Sequence, residues 1–276
     1  MNLSAFIHAS LLFLAAIGAA SAANLLLILG DSNGTVKAGD FSKGERFLRD
    51  RLTAAGHVVR SAPDSASRDS LLRAAAASDL VLVFESVTSA KLLAKLKATP
   101  TPLVNCEAFI QDDMGFTPAG PPGDPGAPDR FALGVLADAD ALTIRAPSHP
   151  LAAGLSGRVV IYTAPKSITW GKVAPAGEVV ATLATDTAGA SIYMYAKGAR
   201  LYDGTLAAGL RIGCFLEDDN VTGTPNLMTP AGLKLFDAAV AYGLGGSASS
   251  LARLVPVKPK SPETRADLLG RNLRFR

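Results

Sequence analysis

Strand-like stretches and helical patterns alternate through residues 24–108, and that alternation constrains the fold more than any other feature of the chain. The stretches are "NLLLILG" (24–30), "HVVRSA" (57–62), "DLVLVFE" (79–85) and "PLVNCEA" (102–108). Between them lie "ERFLRDRLTAAG", "SASRDSLLRAAAAS" and "SAKLLAKLKA". In the first of these, Phe47, Leu48 and Leu52 recur at helical spacing and Gly56 stops the helix. In the second, Ser65 or Ser67 is available as the N-cap. Strands apolar on both faces belong inside a sheet covered on both sides, and strand–helix–strand units cross over right-handedly into parallel pairs. The expected fold is therefore α/β, a parallel flavodoxin-like sheet with helices on both faces.

Sites in such sheets form at the carboxyl ends of the strands. The residues placed there are Gly30, Asp31 and Ser32 after the first strand, Glu85 and Ser86 after the third, and Cys106 and Glu107 after the fourth.

The pattern then changes. "FTPAGPPGDPGAPDR" is a Pro- and Gly-rich loop, followed by "ALTIRA", "SHPLAAGLSGRVVIYTAP", "SITWGK", "EVVATLA", "SIYMYAKG" and "RIGCFLEDD". Short strands separated by turn residues predict antiparallel hairpins. "TPAGLKLFDAAVAYGLG" predicts a closing helix capped by Thr229, with Pro230 in its first turn.

Both ends read differently from this body. The N-terminus has an apolar run, Leu11 to Ile17, and then small residues ending in Ala20-Ser21-Ala22, although no Lys or Arg precedes the run. This is a signal-peptide pattern, so residues 1–23 are expected to be removed and the protein exported. A domain over 24–245 and a linker with a basic tail over 246–276 complete the expected organisation. The segment 258–276 carries six Lys and Arg against Glu263 and Asp267, which leaves the rest of the chain near −1 of the total +3. A nearly neutral body lacks the concentrated basic face that nucleic-acid binding needs. No segment after residue 23 is long and apolar enough to span a bilayer.

Export makes a disulfide feasible, and Cys106 and Cys214 are the two cysteines of the chain. Separated by 108 positions, they bridge only if the fold brings them together. The acids Glu107, Asp112, Asp113, Glu217, Asp218 and Asp219 follow no calcium-loop spacing and read as solvated or helix-capping charge rather than a metal site. "ESVTSAK" (85–91) reads as an N-cap whose N–H groups and hydroxyls could also meet an anion or a sugar hydroxyl. "GDSNGTVKAGD" has neither the dinucleotide glycine order nor a P-loop ending, so no cofactor is expected. Trp170, Tyr162, Tyr193 and Tyr195 either pack a sheet face or form a stacking surface for a sugar.

The opening through "GHVV", the "SHPLAAGL" stretch (148–155), and "GLRIGCFLEDDN" followed by "AGLKLFDAAVAYGLG" resemble the class I glutamine amidotransferase-like superfamily, within it the ThuA-like branch. The resemblance runs from about residue 24 to 245. In amidotransferases a nucleophile sits in Gly-x-Cys-x-Gly after the strand that "TPLVNCEA" would occupy. The matching positions here are Val104, Cys106 and Ala108, and Val104 is a poor fit to a tight, strained elbow. The resemblance also implies a His-x-Glu pair near the last strand, and "CFLEDDN" has no histidine there. His57 falls at the start of a strand, leaving His149 as the candidate base.

The first reading is a secreted, non-amidotransferase domain that binds a small molecule or carbohydrate with Asp31, Ser32, Glu85, Ser86, Cys106, Glu107 and His149, the carbohydrate coming from the resemblance alone. The alternatives are a hydrolase of an amide, ester or sugar-derived substrate using Cys106 with His149, and an envelope interaction protein using the basic tail.

Overall fold

The computed structural model describes residues 22–30, 41–118, 133–217 and 223–245. Residues 1–21 of the expected signal segment, the basic tail, and Asp31, Ser32, Asp218 and Asp219 lie outside the described residues. The fold is mixed α/β, built on one large, partly parallel sheet. Its strands are β1 (Asn24–Leu29), β2 (Val58–Pro63), β3 (Leu80–Val83), β4 (Leu103–Asn105), β5 (Leu133–Ala139), β6 (Ala141–Ile144), β7 (Gly157–Val160), β8 (Lys166–Gly171), β9 (Glu178–Leu183), β10 (Ala190–Tyr195) and β11 (Arg211–Gly213). The helices are α1 (Lys43–Ala54), α2 (Arg68–Ala76), α3 (Ser89–Leu92) and α4 (Pro230–Gly243).

The strand order is β2-β1-β3-β4-β11-β10-β9-β6-β7, with β8 pairing both β5 and β10. From β2 to β11 every pair is parallel. Beyond β11 the pairs are antiparallel, which is the hairpin half of the chain. Alternation along each parallel strand sorts side chains into two cores. Leu25, Leu27 and Leu29 of β1 share one with Leu48 and Leu52 of α1 and Leu235 and Phe236 of α4. Leu26 and Ile28 share the other with Leu71 and Ala75 of α2 and Leu92 of α3. The continuous apolar runs therefore reflect burial on both sides of the strand.

Local chemistry sets the helix ends. Ser42 and Glu45 form a reciprocal capping box on α1, Ser67 caps α2, and Thr229 caps α4 with Pro230 at its first position. The third helix is shorter than "SAKLLAKLKA" predicts. It ends at Leu92, because Leu93 takes a left-handed φ of 47°. Tertiary ties override helix propensity in the following segment. Lys95 donates to the carbonyls of Asp64 and Ala66, both at 2.9 Å, and the guanidinium of Arg211 donates to those of Lys97, Thr99, Thr101 and Leu210. Arg211 is fully buried, and burial lowers its pKa to about 10, so it remains a cation at neutral pH. The strand β5 has no counterpart among the expected elements. Its burial does not alternate cleanly, so it carries no period-2 signal.

On the α1–α4 side the two helices are joined by a bidentate pair, Arg51 to Asp237, with Nε to Oδ1 at 2.7 Å. The side chains are 13% and 8% exposed. Burial pushes the Asp237 carboxyl up despite the arginine, whereas the hydrogen bond that Arg51 donates to Asp237 raises Arg51. Desolvation therefore offsets much of the attraction, and the cost of breaking the pair lies in the charge left behind. Arg51→Leu is expected to lower stability by about 3 kcal/mol in urea unfolding, and Arg51→Leu with Asp237→Leu to recover most of that loss.

Candidate functional site

Because β1, β3, β4 and β11 run in one direction, the residues that follow them share one edge of the sheet. This edge carries Glu85, Ser86, Cys106 and Glu107, and it adds Cys214 and Glu217 from the far end of the sequence.

Ser86 serves to join elements at this edge. Its hydroxyl accepts the Gly30 N–H at 3.0 Å and donates to the carboxylate of Glu45, which also accepts the Ser42 N–H. One buried carboxylate thus joins the capping box of α1 to the ends of β1 and β3. The approach is so close that a Cβ on Gly30 would lie 2.0 Å from the Ser86 carbonyl oxygen, which only glycine avoids. A ligand at this edge would meet Ser86 already engaged with Glu45 and Gly30.

Cys106 extends β4 by one step. Its N–H donates to the Val83 carbonyl at 2.9 Å, and its own carbonyl accepts from the Thr169 hydroxyl at 3.1 Å. The same hydroxyl lies 3.2 Å from the Leu216 carbonyl, so β8 closes over the ends of β4 and β11. Cys106 is not among the residues with positive φ, and the chain after it enters a 3₁₀ turn, Ala108–Ile110, rather than an α-helix. The strained strand-to-helix turn of a nucleophile elbow is not formed. Val104 fills the core as an ordinary strand residue. The thiol is completely buried, and a hydrogen bond to Cys214 together with burial pushes its pKa well above the usual range. That is opposite to the depressed value of a reactive thiolate.

The expected base lies elsewhere. His149 caps a second 3₁₀ turn, Pro150–Ala152, where its Nδ1 accepts the Leu151 N–H at 3.1 Å. Its ring centre is 5.1 Å from that of Tyr242, and its Nε2 is 3.8 Å from Glu178. Glu178 begins β9, which runs in the direction of the parallel strands, and the neighbouring Gly243 packs on Leu80, the first residue of β3. His149 therefore stands at the amino edge. Four residues of β3 at about 3.3 Å each separate that edge from Cys106 by roughly 10 Å or more. His57 also sits at the amino edge, where its Nδ1 accepts the Ala23 N–H at 3.4 Å. The structure does not bring Cys106 and His149 together, and among the described residues no histidine reaches the thiol.

Glu107 is a carboxyl at this edge whose acidity is strongly altered. It is 3% exposed, it accepts the Phe109 N–H at 2.8 Å, and its carbonyl accepts from the Asn105 side chain at 2.8 Å. Burial raises its pKa to about 8. The Phe109 N–H opposes that shift and the charge of Glu217 adds to it. At neutral pH the carboxyl is mostly protonated and can donate a hydrogen bond. The Phe109 N–H is thereby occupied.

The aromatic residues form a polar-tipped core. Tyr162, Tyr193 and Tyr195 are buried, so they present no stacking surface to a sugar. The Tyr193 hydroxyl donates to Gln111 at 2.5 Å, and Gln111 donates to the carbonyls of Ala108 and Trp170. The Tyr195 hydroxyl donates to the Phe116 carbonyl at 2.6 Å. Among the described residues no group of three or more His, Cys, Asp or Glu could hold a metal ion, and no helix is long and apolar enough to cross a membrane.

No protein-family model matches the chain. No curated protein matches its sequence. Solved structures are similar to it, two of them as follows. One is a cytoplasmic protein from Salmonella typhimurium, 12% identical over 80% of this chain and 98% of that one, with a TM-score of 0.47. The other is a protein from Bacteroides uniformis described as ThuA-like, 10% identical over 82% of this chain and 94% of that one, with a TM-score of 0.41. Likeness at this level adds nothing to what the strand order itself establishes.

Glu107 generates a pH prediction. A carboxyl whose pKa rises from 4.5 unfolded to about 8 folded binds a proton in the native state that the unfolded chain has released. Its contribution is fully present below pH 4.5 and is lost as pH rises through about 8, a decline on the order of a few kcal/mol. Denaturant midpoints followed across that range should fall in the unsubstituted chain, and the Glu107→Gln variant should lack that component of the fall.

Proposed function

We propose that the chain is an exported, ThuA-like member of the glutamine amidotransferase-like superfamily that binds a small neutral polar ligand of carbohydrate type without amidotransferase chemistry. The site is the carboxyl edge of a flavodoxin-like parallel sheet. One observation carries this reading: a buried Glu107, protonated at neutral pH, stands at that edge beside Glu85, while the adjacent thiol has neither elbow nor base. A protonated carboxyl beside a second carboxyl offers a donor and acceptors, which suits a hydroxyl-rich ligand. In the order β2-β1-β3-β4-β11 the chain reverses its winding between β1 and β3, the place where such sheets take ligands. Asp31 and Ser32 follow β1 in sequence and belong to the proposed site on that ground. Export is supported by the apolar segment and its Ala20-Ser21-Ala22 ending.

The test is a panel of monosaccharides, disaccharides and polyols titrated into the chain and followed by amide chemical shifts. Saturable shifts are expected at residues 85, 86 and 107, with Glu85→Ala weakening the affinity about tenfold or more. Failure of every sugar and polyol to shift these amides would sink the reading. So would turnover of amide or ester substrates that disappears in Cys106→Ser.

A further inference from the structure

We propose that Cys106 and Cys214 are a dithiol–disulfide couple that, when oxidised, fastens β4 to β11 at the floor of the carboxyl edge. The inference does not depend on what the edge binds.

It rests first on register. The parallel pairing of β4 with β11 runs Leu103 with Arg211, Val104 with Ile212 and Asn105 with Gly213, so the next step sets Cys106 beside Cys214. The backbone maintains that step, because the Cys214 N–H donates to the Asn105 carbonyl at 2.8 Å and the Cys106 N–H to the Val83 carbonyl at 2.9 Å. Both cysteines enter the same core as Val104 and Ile212, so both side chains stand on one face. Neighbouring strands lie about 4.8 Å apart, inside the roughly 4.4–6.8 Å between Cα atoms that a disulfide requires. The two thiols are free, buried and hydrogen-bonded to each other. They are also the two cysteines of the whole chain, so an internal disulfide can only be this one. Packing alone needs small apolar side chains at these positions and does not require two sulfurs in contact.

The hydrogen bond gives the sulfurs different roles. Cys106 donates, which favours the thiolate at Cys214 and lowers its pKa. Exposure of 0% and 2% restricts the oxidant to a very small molecule, and a hydroperoxide such as hydrogen peroxide is of that class. The Cys214 thiolate attacks one peroxide oxygen, the O–O bond breaks, and the hydroxide released takes up the proton that Cys214 lost, giving water and a sulfenic acid. The Cys106 sulfur then attacks the Cys214 sulfur. The S–O bond breaks, the S–S bond forms, and a second water leaves with the Cys106 proton. Two thiols and one peroxide become one disulfide and two waters, with two electrons passing from sulfur to oxygen.

The reduced full chain is treated with a small excess of hydrogen peroxide, unfolded in an alkylating reagent, and analysed by intact mass and peptide mapping. The expected product has lost 2 Da, takes up no alkyl group, yields a linked Cys106–Cys214 peptide, and returns to the dithiol with dithiothreitol. Its thermal midpoint should rise on the order of 5–10 °C on oxidation, as expected for closing so long a loop, and peroxide should produce no rise in Cys106→Ser. Two alkylated thiols after exposure would overturn the proposal, as would a 32 Da gain from a sulfinic acid or a disulfide-linked dimer. The mass measurement uses the unsubstituted chain, so it stands even if Cys106→Ser does not fold.

Discussion

The pairing of β11 with β4 is the contact on which the rest of the structure depends. Between these strands the chain leaves the parallel sheet, builds five strands of hairpin from β5 to β9 and then β10, and returns to its starting edge. Closing so long an excursion costs entropy that only tertiary contacts can offset. Arg211, the first residue of β11, supplies a group of them. Its guanidinium is out of water and is met entirely by backbone carbonyls from the segment leading into β4 and from Leu210. A buried cation without those four acceptors would be prohibitive, so the returning strand and the loop before β4 fix each other. The same segment could otherwise have continued α3, and its carbonyls are committed to Arg211 instead.

A parallel sheet has two chemically different edges, and this chain assigns its ionisable groups to them unevenly. Both described histidines sit at the amino edge, one as a cap beside Tyr242 and one at the start of β2. The cysteines and the carboxyls of Glu85, Glu107 and Glu217 gather at the other. Nucleophilic catalysis by a thiol needs a base at hydrogen-bond reach. Neighbouring carboxylates and burial do the reverse, because both hold the proton on sulfur. The environment that makes Cys106 a poor nucleophile also makes Glu107 a neutral hydrogen-bond donor.

Much of the architecture was legible because it is local. Apolar runs named β1 and β3, Gly56 and the serines placed the ends of α1 and α2, and Thr229-Pro230 placed the start of α4. The unsuitability of Val104 for an elbow was also readable, since a β-branched residue favours the extended strand it occupies. What escaped depends on contacts between distant residues. The early end of α3 follows from Leu93 and from carbonyls taken by Arg211, and no propensity reports that. The bond between Glu45 and Ser86, forty-one positions apart, was not legible either. His149 looked available because "SHP" says nothing about which edge the turn will reach. Cys214 could be named as a partner for Cys106, but only the register of β11 on β4 sets them side by side.

The carboxyl edge is consequently a seam before it is a site. Ser86, Gly30 and Glu45 close it between β1 and β3, and Thr169 closes it above β4 and β11 through the carbonyls of Cys106 and Leu216. A strained elbow would have to break the hydrogen bond from Cys106 to Val83 and the one from Thr169 to Cys106. It would expose the thiol at the cost of two satisfied backbone groups in a dry environment. Keeping both bonds lets β4 run one residue further and buries the sulfur against its neighbour. The Phe109 amide within the following turn donates to the Glu107 side chain, which caps that turn. The carboxyls of Glu85, Glu107 and Glu217 gather at the same edge, and that of Glu107 is buried there with the thiol.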